Sequence, residues 1–302
     1  MRVEALALHH WTVVIVLGAA SVCQTRAADT LAALRMGALL WLVFSLRFCV
    51  MTERELHHAL TLGYFALGVL TFASLFVITA PYGRHQHAGW GPTIAPRVGW
   101  IVMELFAVVG WMAIYLRGTH RFEATPLALM ALWQVHYVNR TFVFPFRIRP
   151  GTKRMPLAIA LMAVAFQVLN SYTNARWVSE LGSYPTSWLS SWQFVSGTLI
   201  FIAGFALNLH SDQILINLRA GGQTGYKIPF GGAYRWISCP NYFAEMLEWT
   251  GWAILTWSLP GAAFAFYTMA NLLPRAVKHH RWYKSEFADY PRERRAVIPY
   301  IL

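Results

Sequence analysis

Two stretches of this chain, residues 59–80 and 189–209, each run for about 20 residues without an Asp, Glu, Lys or Arg. A helix needs roughly 20 apolar residues to cross about 30 Å of hydrocarbon. Lipid offers backbone N–H and C=O groups no partner, so a segment of this kind crosses as a closed hydrogen-bonded helix. Composition agrees: 57% of the 302 residues are hydrophobic and 13% are charged, against roughly a quarter charged in a soluble domain. The chain is expected to be an all-α integral membrane protein.

Further apolar stretches predict spans at 98–116, 125–146 and 155–172. Residues 244–274 are too long for one comfortable crossing, and Ser258-Leu259-Pro260-Gly261 marks a turn in their middle, predicting a helical hairpin. Loop charge tests that choice, because Lys and Arg gather on the cytoplasmic side. With the hairpin, sixteen basic residues fall on one face and only Arg117, Arg121 and Arg176 on the other. A single crossing would move the seven basic residues of the tail to the sparse face. The expectation is a seven-helix core over residues 51–302 with a cytoplasmic C-terminus. Residues 1–50 hold two more apolar runs and are expected to form an extra helical segment.

The net charge of +12 does not come from runs of lysine, so a nucleic-acid arm is not expected. The balance of 21 Arg to 4 Lys favours bidentate donors suited to phosphate or carboxylate. Cys23, Cys49 and Cys239 share no CxxC spacing and read as packing residues. The histidine pairs 57/58, 85/87 and 279/280 lack an HExxH or a Cys partner, so no metal site is expected, and they read as solvated or interfacial.

An ionisable residue at the centre of a span costs roughly 2.5–3.5 kcal/mol on insertion scales, so each needs a partner or a function. Glu104 lies in one predicted span and Arg140 in the next, with Tyr137 three residues before it on the same helical face. Two readings stand: a structural Glu104–Arg140 pair, or a polar pocket in which a neutral Glu104 and the Tyr137 phenol polarise a ligand carbonyl. At 100° per residue, Asn208, Asp212 and Arg219 fall within about 40° of one another. Asn241 and Glu245 are four apart, as are His279 and Tyr283. These three stripes, with the glycine-rich loop 221–232 between them, suggest a ligand at one membrane face. The loop has neither GxGxxG nor GxxxxGKS/T spacing, so a Rossmann or P-loop site is excluded.

The segments Asn208-Leu209-His210-Ser211-Asp212, Tyr226-Lys227-Ile228-Pro229, Asn241 to Glu245 with Glu248-Trp249, 253–266, His279 to Tyr283, and Asp289-Tyr290-Pro291 occur in that order. Together with Pro81 to Arg84, Trp100 to Leu105 and His136 to Val143, they resemble the steroid 5-alpha-reductase family of membrane oxidoreductases over about four fifths of the chain. The resemblance implies NADPH as cofactor and a lipophilic, steroid-like substrate entering from the bilayer. By matching position it implies Glu104 and Tyr137 as the carbonyl-binding catalytic pair, with Trp100 beside them on the substrate side. It implies Arg140, Arg149, Asn208, Asp212, Arg219, Lys227, Asn241, Glu245, His279 and Tyr283 around NADPH.

Two departures stand out: Met103 precedes Glu104 where mammalian members have Gln, and Lys227 stands where they have Arg. The implied reaction is reduction of the C4–C5 double bond of a 3-oxo-Δ4-steroid by a monomer in a bacterial inner membrane or an endoplasmic reticulum membrane. The alternatives are reduction of another activated double bond, in an enoyl thioester or a polyprenol, and methyl transfer from S-adenosylmethionine.

Overall fold

Seven long helical segments organise the residues described in the computed structural model, which are 51–79, 85, 89–148, 154–219 and 225–302. Residues 57–302 form one unit; of the other, residues 1–56, only 51–56 are described, so the expected N-terminal helical segment lies outside the described residues. The segments are α1 (Glu53–Val77), α2 (Pro96–Tyr115), α3 (Ala124–Val138, continued by Asn139–Val143 and Phe144–Arg147), α4 (Leu157–Leu181), α5 (Trp192–Asn217), α6 (Pro240–Thr256) and α7 (Leu259–Glu286). Of these, α1, α2, α4 and α5 are long and apolar enough to cross a membrane. The one sheet among the described residues is small: Thr93–Ile94 (β1) pairs antiparallel with Met155–Pro156 (β2), tying the start of α2 to the start of α4.

The helices are apolar outside and comparatively polar within. On α1 the buried residues are His57, Thr61, Tyr64 and Gly68, spaced four, three and four apart and so confined to one narrow face. Leu62, Val69, Leu70 and Phe76 point outward and are exposed. A water-soluble helix has the reverse arrangement, whereas a lipid-facing helix gains by presenting its aliphatic side chains to the acyl chains. The helix begins at Glu53, ahead of the apolar run, because Thr52 and Glu55 form a capping box: Glu55 N–H donates to Thr52 Oγ1 (3.3 Å) and Thr52 N–H to Glu55 Oε2 (2.8 Å).

The most intimate contact joins α5 to α6. A Cβ at Gly204 would lie 2.5 Å from the backbone nitrogen of Glu248, one at Gly197 would meet Leu255 N, and one at Gly251 would meet Phe201 N. Small residues at these positions let the two backbones touch, the usual basis of helix association where lipid removes the hydrophobic driving force. Beside this contact an aromatic core fills the bundle: Trp133 stacks on Trp111 (5.4 Å) and meets Trp252 edge-on (5.1 Å), and Trp249 packs on Phe264 (4.3 Å).

The break between α6 and α7 falls at the anticipated turn. Trp257 takes a left-handed conformation (φ 43°), and Ser258 Oγ caps α7 by accepting from Gly261 N–H (3.1 Å). Both helices reach past the expected apolar stretch: α6 starts at Pro240 and α7 runs to Glu286. Beyond α7 the tail folds back on the segment before α6. Ser238 N–H donates to Arg295 O (2.8 Å), Arg295 N–H to Trp236 O (2.9 Å) and Cys239 N–H to Ala296 O (3.1 Å). Arg294 is buried there, donating to Pro229 O (3.0 Å) and covering the rings of Phe230 and Tyr290.

Replacing Gly251 by Val forces the α5 and α6 backbones apart and should destabilise the protein by about 1–3 kcal/mol. Gly63, with no atom within 4 Å of its added Cβ, is the control: Gly63→Ala should leave the melting temperature in detergent unchanged or slightly raised.

Candidate active site

Two polar clusters meet along α3, and a π turn in that helix separates them. Residues Asn139–Val143 form one wide turn, and such turns recur at functional positions because they redirect the side chains that follow. Tyr137, just before the turn, is buried against Trp133, Trp249 and His136. Arg140, within it, leaves that core. Its guanidinium lies over Trp100 (5.0 Å) and Phe144 (4.7 Å) and donates to Asp212 Oδ2 at 3.2 Å. A second nitrogen lies 3.9 Å from Glu245 Oε2.

Arg140 therefore pairs with Asp212 and Glu245 rather than with Glu104, so the structural Glu104–Arg140 pair is not what forms. Trp100, expected on the substrate side, lies under that guanidinium. The acceptors around Arg140 are tied together in turn. Asn241 Nδ2 donates to Asp212 Oδ1 (3.3 Å), and Asn208 Nδ2 donates to Asn241 O (3.1 Å). The close contact of α5 with α6 places Asn208 and Asp212 opposite Asn241 and Glu245.

Next to this cluster opens a cleft of ≈ 200 Å³ lined by Asp212, Arg219, Tyr226, Lys227 and Tyr283, with Phe144 and Leu215 among its apolar walls. Four side chains singled out in the sequence, from α5, the loop after it and α7, thus share one opening. Tyr283 is held there by stacking on Tyr290 (5.2 Å). His279, one turn earlier on α7, is not among the lining residues: its Nε2 is 3.1 Å from Tyr242 Oη and its ring stacks on His85 (5.1 Å). Arg149 lies outside the described residues.

The second cluster holds Glu104 and Tyr137. Glu104 Oε2 accepts from Gln167 Nε2 (2.8 Å), and Tyr137 Oη accepts from Asn170 Nδ2 (3.3 Å). Gln167, Asn170 and Asn174 form a buried amide stripe on α4 that the sequence reading passed over because none of them is charged. His136 and Glu248, which the sequence places within two of the motifs without assigning them a role, lie 2.7 Å apart between α3 and α6 at 2% and 0% exposure. Both are ionisable residues inside apolar helices, and this was the available signal. His57, expected at a solvated or interfacial position, is instead buried, bonded to Thr173 O (2.8 Å) and stacked on Trp177, because it lies on the single inward face of α1. Among the described residues no group of three or more His, Cys, Asp or Glu side chains is placed to hold a metal ion.

Beyond the spans, His280 and Tyr290 both lie within 2.6 Å of Ser238 Oγ and latch the tail to the segment before α6. Burial, helped by the nearby charges of Lys284 and Arg295, lowers the pKa of the His280 imidazole below its ordinary value. Burial raises that of the Tyr290 phenol.

Comparison with known proteins matches the family model described as 3-oxo-5-alpha-steroid 4-dehydrogenase to residues 153–302. The steroid 5-alpha-reductase DET2 of Gossypium hirsutum is 41% identical over 257 residues, covering 83% of this chain and 99% of that protein. The chain belongs to the steroid 5-alpha-reductase family. The 3-oxo-5-alpha-steroid 4-dehydrogenase 1 of Bos taurus is 40% identical over 256 residues, with the same coverage of 83% and 99%. The human protein of that name is 38% identical over 251 residues, covering 82% of this chain and 96% of its own length. As a family member the protein is a membrane oxidoreductase, and its outward-facing aliphatic residues suit a bilayer.

The lowered pKa of His280 has a consequence for stability. Its neutral form is favoured in the folded protein, so the unfolded chain binds a proton more readily as pH falls below about 6.5. The melting temperature of the wild type should therefore fall between pH 7.5 and 5.5, and His280→Gln should flatten that dependence. An equal slope in both proteins would show that the latch does not carry it.

Proposed function

We propose that the protein reduces the C4–C5 double bond of 3-oxo-Δ4-steroids with NADPH, giving 5-alpha-reduced 3-oxo-steroids. The observation that carries this reading is the junction on α3, where Tyr137 joins Glu104 in one buried cluster while Arg140 joins Asp212 and Glu245 in the adjacent one. One member of the carbonyl-binding pair, Tyr137, and the cation of the charged cofactor wall, Arg140, thereby stand three residues apart on one helix.

The residues present fit NADPH. Arg219 and Lys227 bring cationic groups to the cleft, where phosphates would be held. Tyr226 and Tyr283 offer rings against which a base can lie. Asn208, Asp212, Asn241 and Glu245 supply donors and acceptors suited to ribose hydroxyls and a carboxamide, and Arg140 holds these acidic groups in place. Carried over from the family's pattern, His279 and Arg149 complete the cofactor set. NADPH, when bound, would supply the hydride to the β carbon, and a proton drawn from solvent completes the reduction at the α carbon.

The chain's own residues prepare the substrate. Tyr137 and a neutral Glu104 donate hydrogen bonds to the 3-oxo oxygen, where negative charge gathers as the β carbon is reduced. Donors placed in advance in a water-excluded site are worth several kcal/mol to such a step, because they need no reorganisation. The aromatic packing of Trp133, Trp249 and Phe264 behind Tyr137 excludes water from that side. Topology follows the loop charge: seven crossings with the basic tail and the cofactor cleft on the cytoplasmic side, and a steroid reaching the pocket from the bilayer. The chain acts as a monomer.

Purified protein in detergent, given tritium-labelled NADPH and a panel of enones, should transfer label to 3-oxo-Δ4-steroids. Label appearing instead only in an enoyl thioester or a polyprenol would overturn the substrate assignment. Tyr137→Phe and Glu104→Gln should each lower kcat by about 100-fold with NADPH affinity nearly unchanged. Arg140→Lys keeps the charge but loses the planar fork and the stacking on Trp100, and should weaken NADPH binding by about 10-fold or more.

A further inference from the structure

The amide stripe on α4 has a defined direction. Trp252 Nε1–H is a donor with no acceptor capacity, so the side chain it meets must present an oxygen. It meets Asn174 Oδ1 at 2.9 Å. Asn174 therefore turns its Nδ2 to Asn170 Oδ1 (3.0 Å), and Asn170 turns its Nδ2 to Gln167 Oε1 (3.2 Å) and to Tyr137 Oη (3.3 Å). Gln167 is left with Nε2 for Glu104, 2.8 Å away. Every donor in the chain points from the indole on α6 toward the two proposed carbonyl-binding residues.

Asn170 is the branch point, and its amide is saturated. Its two hydrogens go to Gln167 and Tyr137, and its oxygen accepts from Asn174 and from Tyr64 Oη (3.2 Å). An amide has two donor hydrogens and two acceptor lone pairs, so nothing is left over. A flipped amide would set oxygen against Gln167 Oε1 and NH2 against the NH2 of Asn174. With Asn170 fully buried, no water can repair either contact, and the orientation is locked.

We propose that Asn170 is a positioning residue for the reductase reaction, with Trp252 setting its direction. It fixes the Tyr137 hydroxyl and, through Gln167, the Glu104 carboxyl toward the substrate oxygen. By donating to Tyr137 Oη it leaves the phenolic proton for the ligand and strengthens that proton as a donor, as linked hydrogen bonds polarise one another. By donating to Glu104 Oε2 through Gln167 it leaves the other carboxyl oxygen to face the substrate. The proposal rests on the reading of Glu104 and Tyr137 as the carbonyl-binding pair. It concerns kcat rather than cofactor binding, since none of the amides lines the cleft.

A double-mutant cycle tests it, with full-length protein in detergent, NADPH and progesterone. Asn170→Ala should lower kcat by about 10-fold, with KM for progesterone changed less than about 3-fold and NADPH affinity retained. In a Tyr137→Phe background the same change should lower the residual rate by a clearly smaller factor, about 3-fold or less, because one of the two groups it positions is gone and only Glu104 is left. Should Asn170→Ala not yield folded protein, Tyr64→Phe keeps the ring and removes one bond to Asn170. It should lower kcat in the wild type and lower it by a smaller factor in Tyr137→Phe. An equal factor in both backgrounds, or no effect of Tyr64→Phe in either, overturns the positioning role while leaving the carbonyl pair intact. A near wild-type rate for Tyr137→Phe alone overturns the pair itself, and the positioning role with it.

Discussion

Backbone contact between α5 and α6 is the constraint on which the rest of the structure depends. Gly197, Gly204 and Gly251 let the two helices approach until a Cβ would strike main-chain nitrogen. In lipid, burying more aliphatic surface gains little, so association depends on close packing and on hydrogen bonds between helices. The contact brings Asn208 and Asp212 within bonding distance of Asn241 and in line with Glu245, and that acidic, amide-rich wall holds Arg140. A helix pair a few ångströms wider would keep every residue of the wall and lose the wall.

Arg140 illustrates why burial of charge here is affordable. The guanidinium is covered by Trp100 and Phe144, paired with Asp212 and close to Glu245, so its desolvation is offset by several contacts at once. The amide stripe on α4 solves the same problem with neutral groups. Each amide satisfies the next, and a donor-only indole at one end removes the ambiguity that a closed ring of amides would have. Buried polar groups in an apolar bundle thereby acquire both partners and orientation.

Part of the candidate site's arrangement was legible from residue spacing. Asn208 with Asp212 and Asn241 with Glu245 sit one helical turn apart, and the close approach of α5 to α6 sets Asn241 against Asn208 and Asp212. Other features were not legible. Tyr137 and Arg140 share a face on an ideal α-helix, yet the π turn at Asn139–Val143 sends one into the aromatic core and the other to the charged wall. Arg294 reads as one more basic residue of the tail but is buried under Phe230 and Tyr290, because the tail folds back to bond residues 236–239. Gln167, Asn170 and Asn174 carry no charge, and their importance depends on which helix they face.

Membrane class, the helical hairpin after Ser258 and the family followed from the sequence alone, because long uncharged runs, turn chemistry and ordered motifs are properties of the chain taken in order. The partners of each polar residue were decided only in three dimensions. Glu104 had Arg140 as its apparent partner in sequence and has Gln167 in the structure. The physical reason is that an ionisable group in lipid must be satisfied, which sequence can announce, whereas the group that satisfies it depends on helix rotation and separation. Those are set by the glycines between α5 and α6, by a wide turn in α3 and by an indole on α6 that can only donate.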